Sequence, residues 1–370
     1  MVLNALELDG FRNYRDFRAE FSPGANVICG RNAQGKTNLL EAVCLLAQGR
    51  GHRGARDRDM IGFDRDFAGI RADITSGGRD IALEARLTRA GRREVFRNGA
   101  KLRRTADLTG SLTAVMFDPT DLELVRGGAE TRRRELDACI SQLRPRYAAA
   151  LAEFNRFYAH KLKILKNFRE KPSLLDALDD FNRGLTETGA RLIFYRAAFV
   201  TKLGESARRV HAECSGGLET LAVAYKTERG VDTENPELLQ IASALEARQR
   251  EHREHEIASG MCLTGAQRDD MEVAINGVAA RAFASQGQAR TASLSVKLAE
   301  RDIIAGDTGE APVLLLDDVL SELDVTRREF VLGRIGGGQV LITCCEPGEI
   351  TLPDGGRVME IHGGRLVSCT

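Results

Sequence analysis

Eight consecutive residues, Gly30-Arg31-Asn32-Ala33-Gln34-Gly35-Lys36-Thr37, constrain the fold of this 370-residue chain more than any other feature. Two glycines with four residues between them, then Lys and Thr, call for a backbone that turns sharply twice before entering a helix. An apolar run, Asn26-Val27-Ile28-Cys29, leads into the loop. A helical pattern follows from Lys36 to about Gln48, with Leu39, Leu40, Val43 and Leu46 as its apolar stripe. Strand, glycine loop and helix in that order predict an α/β fold, with the loop at the carboxyl end of a sheet strand.

A loop of this kind is built for phosphate. Glycines let backbone N–H groups wrap closely around phosphate oxygens, and the following helix N-terminus adds free donors and a partial positive charge. Lys36 reaches the β- and γ-phosphates and Thr37 ligates Mg²⁺. Gly30, Arg31, Asn32, Ala33, Gln34, Gly35, Lys36, Thr37 and Asn38 are therefore candidates for nucleotide binding. The loop needs an acidic partner on another strand, and Leu314-Leu315-Leu316-Asp317-Asp318 supplies it. Asp317 is the expected Mg²⁺ partner, acting through water. Asp318 is either the base that positions the attacking water or the start of a turn that caps the next helix. A third segment, Phe283-Ala284-Ser285-Gln286-Gly287-Gln288, opens a helical run through Leu294, Val296, Leu298 and Ile303. Alone it reads as an ordinary N-cap.

Roughly 280 residues separate the glycine loop from the acidic strand, far more than a compact phosphate-binding domain needs. Between them the pattern turns helical. Leu136, Ile140, Leu143, Tyr147, Leu151, Phe154, Tyr158, Leu162 and Leu165 recur at steps of three or four, with Pro145 as a break. Further helical stretches cover about 174–210 and 236–257. The expected organisation is one α/β domain made of residues 1–125 and 260–370, with an inserted α-helical domain at 126–259. Asn98-Gly99 predicts a hairpin, and Arg357 to Ser368 a closing hairpin across Gly363-Gly364.

Composition narrows the class. No apolar run approaches the ~18 residues of a membrane span, and the N-terminus lacks a signal peptide pattern. Eight cysteines without a CxxC pair read as small buried residues in a reduced, cytoplasmic compartment. The net charge of zero conceals an imbalance. Residues 1–210 carry 38 basic and 27 acidic residues, whereas residues 211–370 carry 15 and 26. A basic half favours a polyanion such as DNA, or is solvated charge without a partner.

The glycine loop, the Asp317-Asp318 strand end and the Ser285 loop together resemble the ABC-type ATPases, in the branch that holds SMC proteins and the RecF family. Further segments carry the resemblance: Phe11-Arg12-Asn13-Tyr14, Gly49-Arg50-Gly51-His52-Arg53, Met116 to Val125, Arg132 to Asp137, Arg268-Asp269-Asp270 and Leu316 to Asp324. The resemblance implies an ABC-type ATPase head assembled from both chain ends. It implies ATP and Mg²⁺ as cofactors, with ATP sandwiched in an ATP-dependent homodimer. Ser285, Gln286, Gly287 and Gln288 would then face the γ-phosphate held by the other protomer. Arg12 and Asn13 would approach the nucleotide, Lys36 and Asp318 would be catalytic, and Ser321-Glu322-Leu323-Asp324 would be a D-loop. A family member would clamp DNA, double-stranded or gapped, at gaps or junctions. It would act with RecR, and with RecO as a second candidate, to help load RecA. Slow, DNA-stimulated hydrolysis would release it. Three departures stand out: Asp318 where many relatives have Glu, no histidine after Val340-Leu341-Ile342-Thr343, and Gln267 where a histidine is expected. No Q-loop glutamine is assigned.

Three basic clusters are candidates for DNA phosphates. Arg50, Arg53, Arg56 and Arg58 form the first, in a loop after the glycine-loop helix. Arg92, Arg93, Arg97, Lys101, Arg103 and Arg104 form the second, and Lys161, Lys163 and Lys166 the third. Each is otherwise a solvated face. No base-reading motif is present, so binding without sequence specificity is expected. Two other functions fit the ATPase elements: a transporter-type ABC ATPase that works with a membrane partner, and a nucleotide-stabilised scaffold that does not hydrolyse.

Overall fold

The computed structural model describes residues 1–346 and 356–369, without the side chains of Arg53, Glu322 and Ile335. The chain divides into two compact units, Met1–Asp121 with Val296–Thr370, and Leu122–Ser295.

In the first unit, one sheet is antiparallel. It contains β1 (Val2–Phe11), β2 (Tyr14–Glu20), β4 (Phe67–Ser76), β5 (Arg79–Thr88), β6 (Arg93–Arg97) and β7 (Ala100–Lys101), in the order β2-β1-β4-β5-β6-β7. Asn98 and Gly99, both at positive φ, close the predicted hairpin between β6 and β7. The second sheet contains β3 (Ala25–Cys29), β8 (Ala114–Phe117), β12 (Val313–Leu316), β13 (Val340–Cys344), β14 (Arg357–His362) and β15 (Arg365–Cys369). Its order is β15-β14-β3-β13-β12-β8, and all but the β14–β15 pair are parallel. β3, β8, β12 and β13 are buried along their whole lengths. That explains their unbroken apolar runs: a parallel strand covered on both faces has no polar side. Helix α1 (Lys36–Gln48) is buried over ten of its thirteen residues, well beyond the single stripe read from the sequence. Its Leu39, Leu40, Val43 and Leu46 share one core with Leu6 and Leu8 of β1, Ile70 of β4, and Met116, Leu315 and Leu341 of the second sheet.

The second unit is mainly helical. It holds α2 (Leu122–Arg126), α3 (Ala129–Leu143), α4 (Pro145–Asn167), α5 (Leu178–Cys214), α6 (Leu238–Ser259), α7 (Ala280–Phe283) and the start of α8 (Gln286–Thr308); α9 (Val325–Ile335) belongs to the first unit. Pro145 is the first residue of α4, where its missing N–H costs nothing. The unit also contains a three-stranded sheet, β11-β10-β9, from β9 (Leu221–Lys226), β10 (Asp270–Ile275) and β11 (Val278–Ala279). The sequence reading has only helices over 126–259, where β9 lies, since one strand of six residues leaves little periodicity. It places the insertion at 126–259. The compact unit instead begins at Leu122 and continues to Ser295, because β10 pairs with β9 from Asp270–Lys226 to Ile275–Leu221.

Candidate functional site

The glycine loop lies between β3 and α1. Gly30 and Gly35 take φ of 154° and 113°, and Ala33 between them takes 65°. The Lys36 side chain is 4% exposed, and its Nζ donates to the Gly30 carbonyl at 2.7 Å across the mouth of the loop. The β14–β15 turn braces the loop from the other side: Gly363 N donates to Gln34 Oε1 and Gly364 N to the Gln34 carbonyl. Asn32, Ala33, Gly35, Lys36, Thr37, Asn38 and Asp318 line a cavity of about 120 Å³. A cation at the end of a helix N-terminus with few other side chains in the way is a seat for anionic oxygen.

The acidic partner comes from the sheet register. β12 and β13 run parallel with Leu316 beside Ile342, so the next residues, Asp317 and Thr343, meet at the sheet edge. Thr37 Oγ1 lies 3.0 Å and Thr343 Oγ1 2.8 Å from Asp317 Oδ1. Burial pushes the Asp317 pKa up, and the charges of Asp318 and Asp118 add to this against the lowering bonds from Thr37 and Thr343. A hydroxyl and a desolvated carboxylate side by side form a hard-oxygen donor set that suits Mg²⁺. Asp318 turns away into the left-handed region at φ 53°. Its N–H donates to Thr343 Oγ1 at 2.8 Å, and its Oδ2 lies 3.9 Å from Lys36 Nζ. Thr343 is the residue that sequence reasoning missed. Its only signal in the sequence is a threonine that closes the apolar run Val340-Leu341-Ile342.

Arg12, Ala33 and Asp318 are three of the five non-glycine residues with positive φ among the described residues. Such strain persists where surrounding structure over-determines it, and it gathers at working sites. The FRNY segment is tied to the glycine loop: Asn13 Nδ2 donates to the Gln34 carbonyl, Asn38 Nδ2 to Asn13 Oδ1, and Tyr14 Oη to the Gly35 carbonyl. Arg12 is committed elsewhere. Its Nε and one terminal nitrogen pair with Glu41 of α1 at 2.8 and 2.9 Å, and the other donates to the Asp59 carbonyl.

In the second unit, Ser285, Gln286 and Gly287 are exposed and Gln288 is half-buried. Ser285 Oγ accepts from Gln288 N, while Gln288 Oε1 accepts from Ser285 N. This reciprocal capping box satisfies two N–H groups at the N-terminus of α8. Asp324 caps α9 through Arg327 N. The side chain of Glu322 in the same D-loop segment lies outside the described residues.

The arginine loop after α1 folds as two short 3₁₀ turns, His52–Gly54 and Asp57–Asp59. Arg56 and Arg58 are exposed and Arg50 is half-buried; the Arg53 side chain lies outside the described residues. The other basic clusters are partly paired, while Arg92, Arg103, Lys163 and Lys166 are exposed. Arg93 pairs with Asp57 and the Gly49 carbonyl, Lys101 with Glu94, and Arg104 with Asp107. Lys161 is fully buried against Glu256 at 2.6 Å and drops out as a surface contact. Arg132, Asp137 and Asp269 also prove to be buried, whereas Arg268 is exposed. Arg132 grips Asp270 at 2.7 and 2.8 Å, while buried Arg196 bonds Asp137, Asp269 and Tyr147. Nothing in its helical context marks Arg196 as their hub.

Glycine loop, acidic strand and capped α8 define the head of an ABC-type ATPase. The family model described as the RecF/RecN/SMC N-terminal domain matches residues 2–352. The DNA replication and repair protein RecF of Symbiobacterium thermophilum is 39% identical over 371 residues, covering 99% of this chain and 98% of that protein. A solved structure of the recombination mediator protein RecF with ATP, in the RecFOR pathway, superposes with a TM-score of 0.91 at 34% identity, covering 99% and 96% of the two chains. An SMC head from Pyrococcus furiosus shares the fold alone, with a TM-score of 0.54 at 16% identity, covering 99% and 95%. The chain belongs to the RecF family of DNA replication and repair proteins. Among the described residues no helix is long and apolar enough to cross a membrane.

Proposed function

We propose that this chain is an ATP-gated DNA clamp of recombinational repair and replication-fork maintenance, working in the cytoplasm. The observation that carries the reading is the meeting of Thr37 and Asp317 at 3.0 Å, one residue from buried Lys36. The loop from Gly30 to Asn38 cradles the phosphates of ATP, with Lys36 leaving the Gly30 carbonyl for the β- and γ-phosphates. Thr37 and Asp317 hold Mg²⁺, which supplies charge neutralisation for those phosphates. Asp318 orients the attacking water. Its carboxylate is one methylene shorter than the Glu of many relatives, which favours slow hydrolysis. Asn13 borders the nucleotide from the FRNY segment, and Arg12 acts behind it by bracing α1 through Glu41.

Ser285, Gln286, Gly287 and Gln288 of one copy meet the γ-phosphate held by a second copy, and ATP thereby closes a homodimer. An exposed helix N-terminus with a hydroxyl donor has the chemistry for a terminal phosphate. DNA, double-stranded or gapped, binds through Arg50, Arg53, Arg56 and Arg58 without sequence specificity, and it raises the ATPase rate. RecR, with RecO as a second partner, joins the clamp in loading RecA, and hydrolysis releases it. Size measurement with and without ATP and Mg²⁺ tests the reading. Wild type is expected to shift from monomer to dimer with ATP, and Lys36→Arg and Ser285→Arg to stay monomeric. A wild type that remains monomeric at high concentration with ATP refutes the gated dimer.

A further inference from the structure

His52 lies in the arginine loop, yet its ring turns inward. Its Nε2 sits 2.7 Å from Oδ2 of Asp118, and the two side chains are 14% and 1% exposed. Asp118 follows β8 as Asp317 follows β12. These strands run parallel with Phe117 beside Leu316, and Asp317 N donates to the Phe117 carbonyl at 2.9 Å. The two aspartates thus leave the same sheet edge side by side. Asp118 is held from three directions. Its Oδ1 accepts from both the N–H and the hydroxyl of Thr120 at 2.6 Å, its own N–H donates to Asp121, and His52 meets Oδ2. Its charge is also among those that raise the Asp317 pKa.

The loop carrying His52 begins where α1 ends. Gly49 closes that helix at φ 68°, and Arg93 fastens the loop through the Gly49 carbonyl and Asp57. A side chain at Gly51 would place its Cβ 2.4 Å from the Ala55 carbonyl oxygen, so the turn around His52 has no slack. Arg56 and Arg58 project from the same loop. One short segment therefore has Arg56 and Arg58 outside and, inside, a ring seated on the carboxylate beside Asp317.

We propose that His52 is a positioning residue that makes the ATPase rate respond to DNA, by holding Asp118 in place beside Asp317. A pull on Arg56 and Arg58 by DNA phosphates moves His52. That changes how firmly Asp118 is held and how much of its negative charge Asp317 feels. In a site where two buried carboxylates repel, such a change alters how readily Asp317 serves the nucleotide's cation. The inference rests on the reading of the arginine loop as a DNA contact.

The test measures ATPase turnover with and without gapped DNA, KM for ATP, and DNA affinity, in wild type, His52→Ala, His52→Gln and Arg56→Glu/Arg58→Glu. In His52→Ala the ratio of DNA-stimulated to basal kcat is expected to fall toward one. KM for ATP and DNA affinity should stay within about twofold. His52→Gln, whose amide can still reach the carboxylate, should recover part of the ratio. Stimulation that persists in His52→Ala, or a wild-type rate that DNA does not change, overturns the link. So does a rise in KM for ATP that matches the fall in kcat, since it marks a distorted glycine loop instead. DNA affinity unchanged in Arg56→Glu/Arg58→Glu sinks the DNA reading of the loop itself, and the link with it. If His52→Ala is unstable, Asp118→Asn in the same assay decides: a retained ratio refutes the proposal.

Discussion

A Cβ at Gly30 would sit 2.4 Å from the Ile361 carbonyl oxygen, and one at Gly35 would sit 2.6 Å from Asn13 Nδ2. Both positions are also at positive φ, so two independent restraints require glycine there. The motif's glycines thus serve the packing of the FRNY segment and of β14, besides their service to phosphate. Thr343 is the counterpart on the acidic side. One hydroxyl accepts from Asp318 N and approaches Asp317 Oδ1, and so sets both carboxylates at once. Thr343→Val keeps the shape and removes both bonds. Losing a hydrogen bond to a charged group costs about 1.5–3 kcal/mol, so the Mg²⁺ concentration for half-maximal ATPase should rise roughly tenfold or more. A titration with Mg²⁺ at saturating ATP measures it; an unchanged midpoint would mean that Thr343 is structural only.

At the level of elements, the second unit combines apolar packing with a buried network of charges. Arg196, on the long α5, is 2% exposed and reaches Asp137 on α3, the Tyr147 hydroxyl on α4, and both Asp269 and the Ala266 carbonyl before β10. Tyr225 of β9 and Thr227 bond the same Asp269. Removing the cation from such a cluster strands two carboxylates in a low dielectric. Arg196→Ala should therefore cost about 3–5 kcal/mol, read as a lower denaturant midpoint. Ablation by less than about 1 kcal/mol would mean that water replaces the guanidinium. The sequence made α3 to α6 legible through their period and through Pro145. The network was not legible, because its partners are scattered over more than 130 residues and an arginine in a helix reads as surface. The same blindness applied to Lys161, whose position in a basic run concealed a buried partner in Glu256.

At the scale of the whole molecule, part of the basic first half is matched by acidic partners. Arg93, Lys101, Arg104, Arg132 and Lys161 all have acidic partners within the fold. Arg56 and Arg58 remain exposed on the arginine loop, and Arg92, Arg103, Lys163 and Lys166 are exposed in the other two clusters. Each phosphate contact contributes a slope of about −0.9 in log K against log salt, and each arginine removed from the loop should reduce the slope by about one contact. Affinity for gapped DNA in the presence of ATP, measured over a salt series for wild type, Arg56→Ala and Arg58→Ala, gives the slopes directly. Equal slopes in all three would place the DNA contact elsewhere.

The sequence by itself determined the local chemistry. The glycine loop, the strand entering it, the helix leaving it, the acidic strand and the capped α8 each depend on residues adjacent in the chain, where pattern and geometry coincide. It also determined that the ATPase head draws on both chain ends, since glycine loop and acidic strand are so far apart. Only the tertiary structure decided which residues share a sheet edge. Parallel register put Thr343 and Asp118 on either side of Asp317, and it turned His52 inward from an arginine loop. Such neighbours are set by how distant strands align, and alignment depends on the whole core, which no local pattern records.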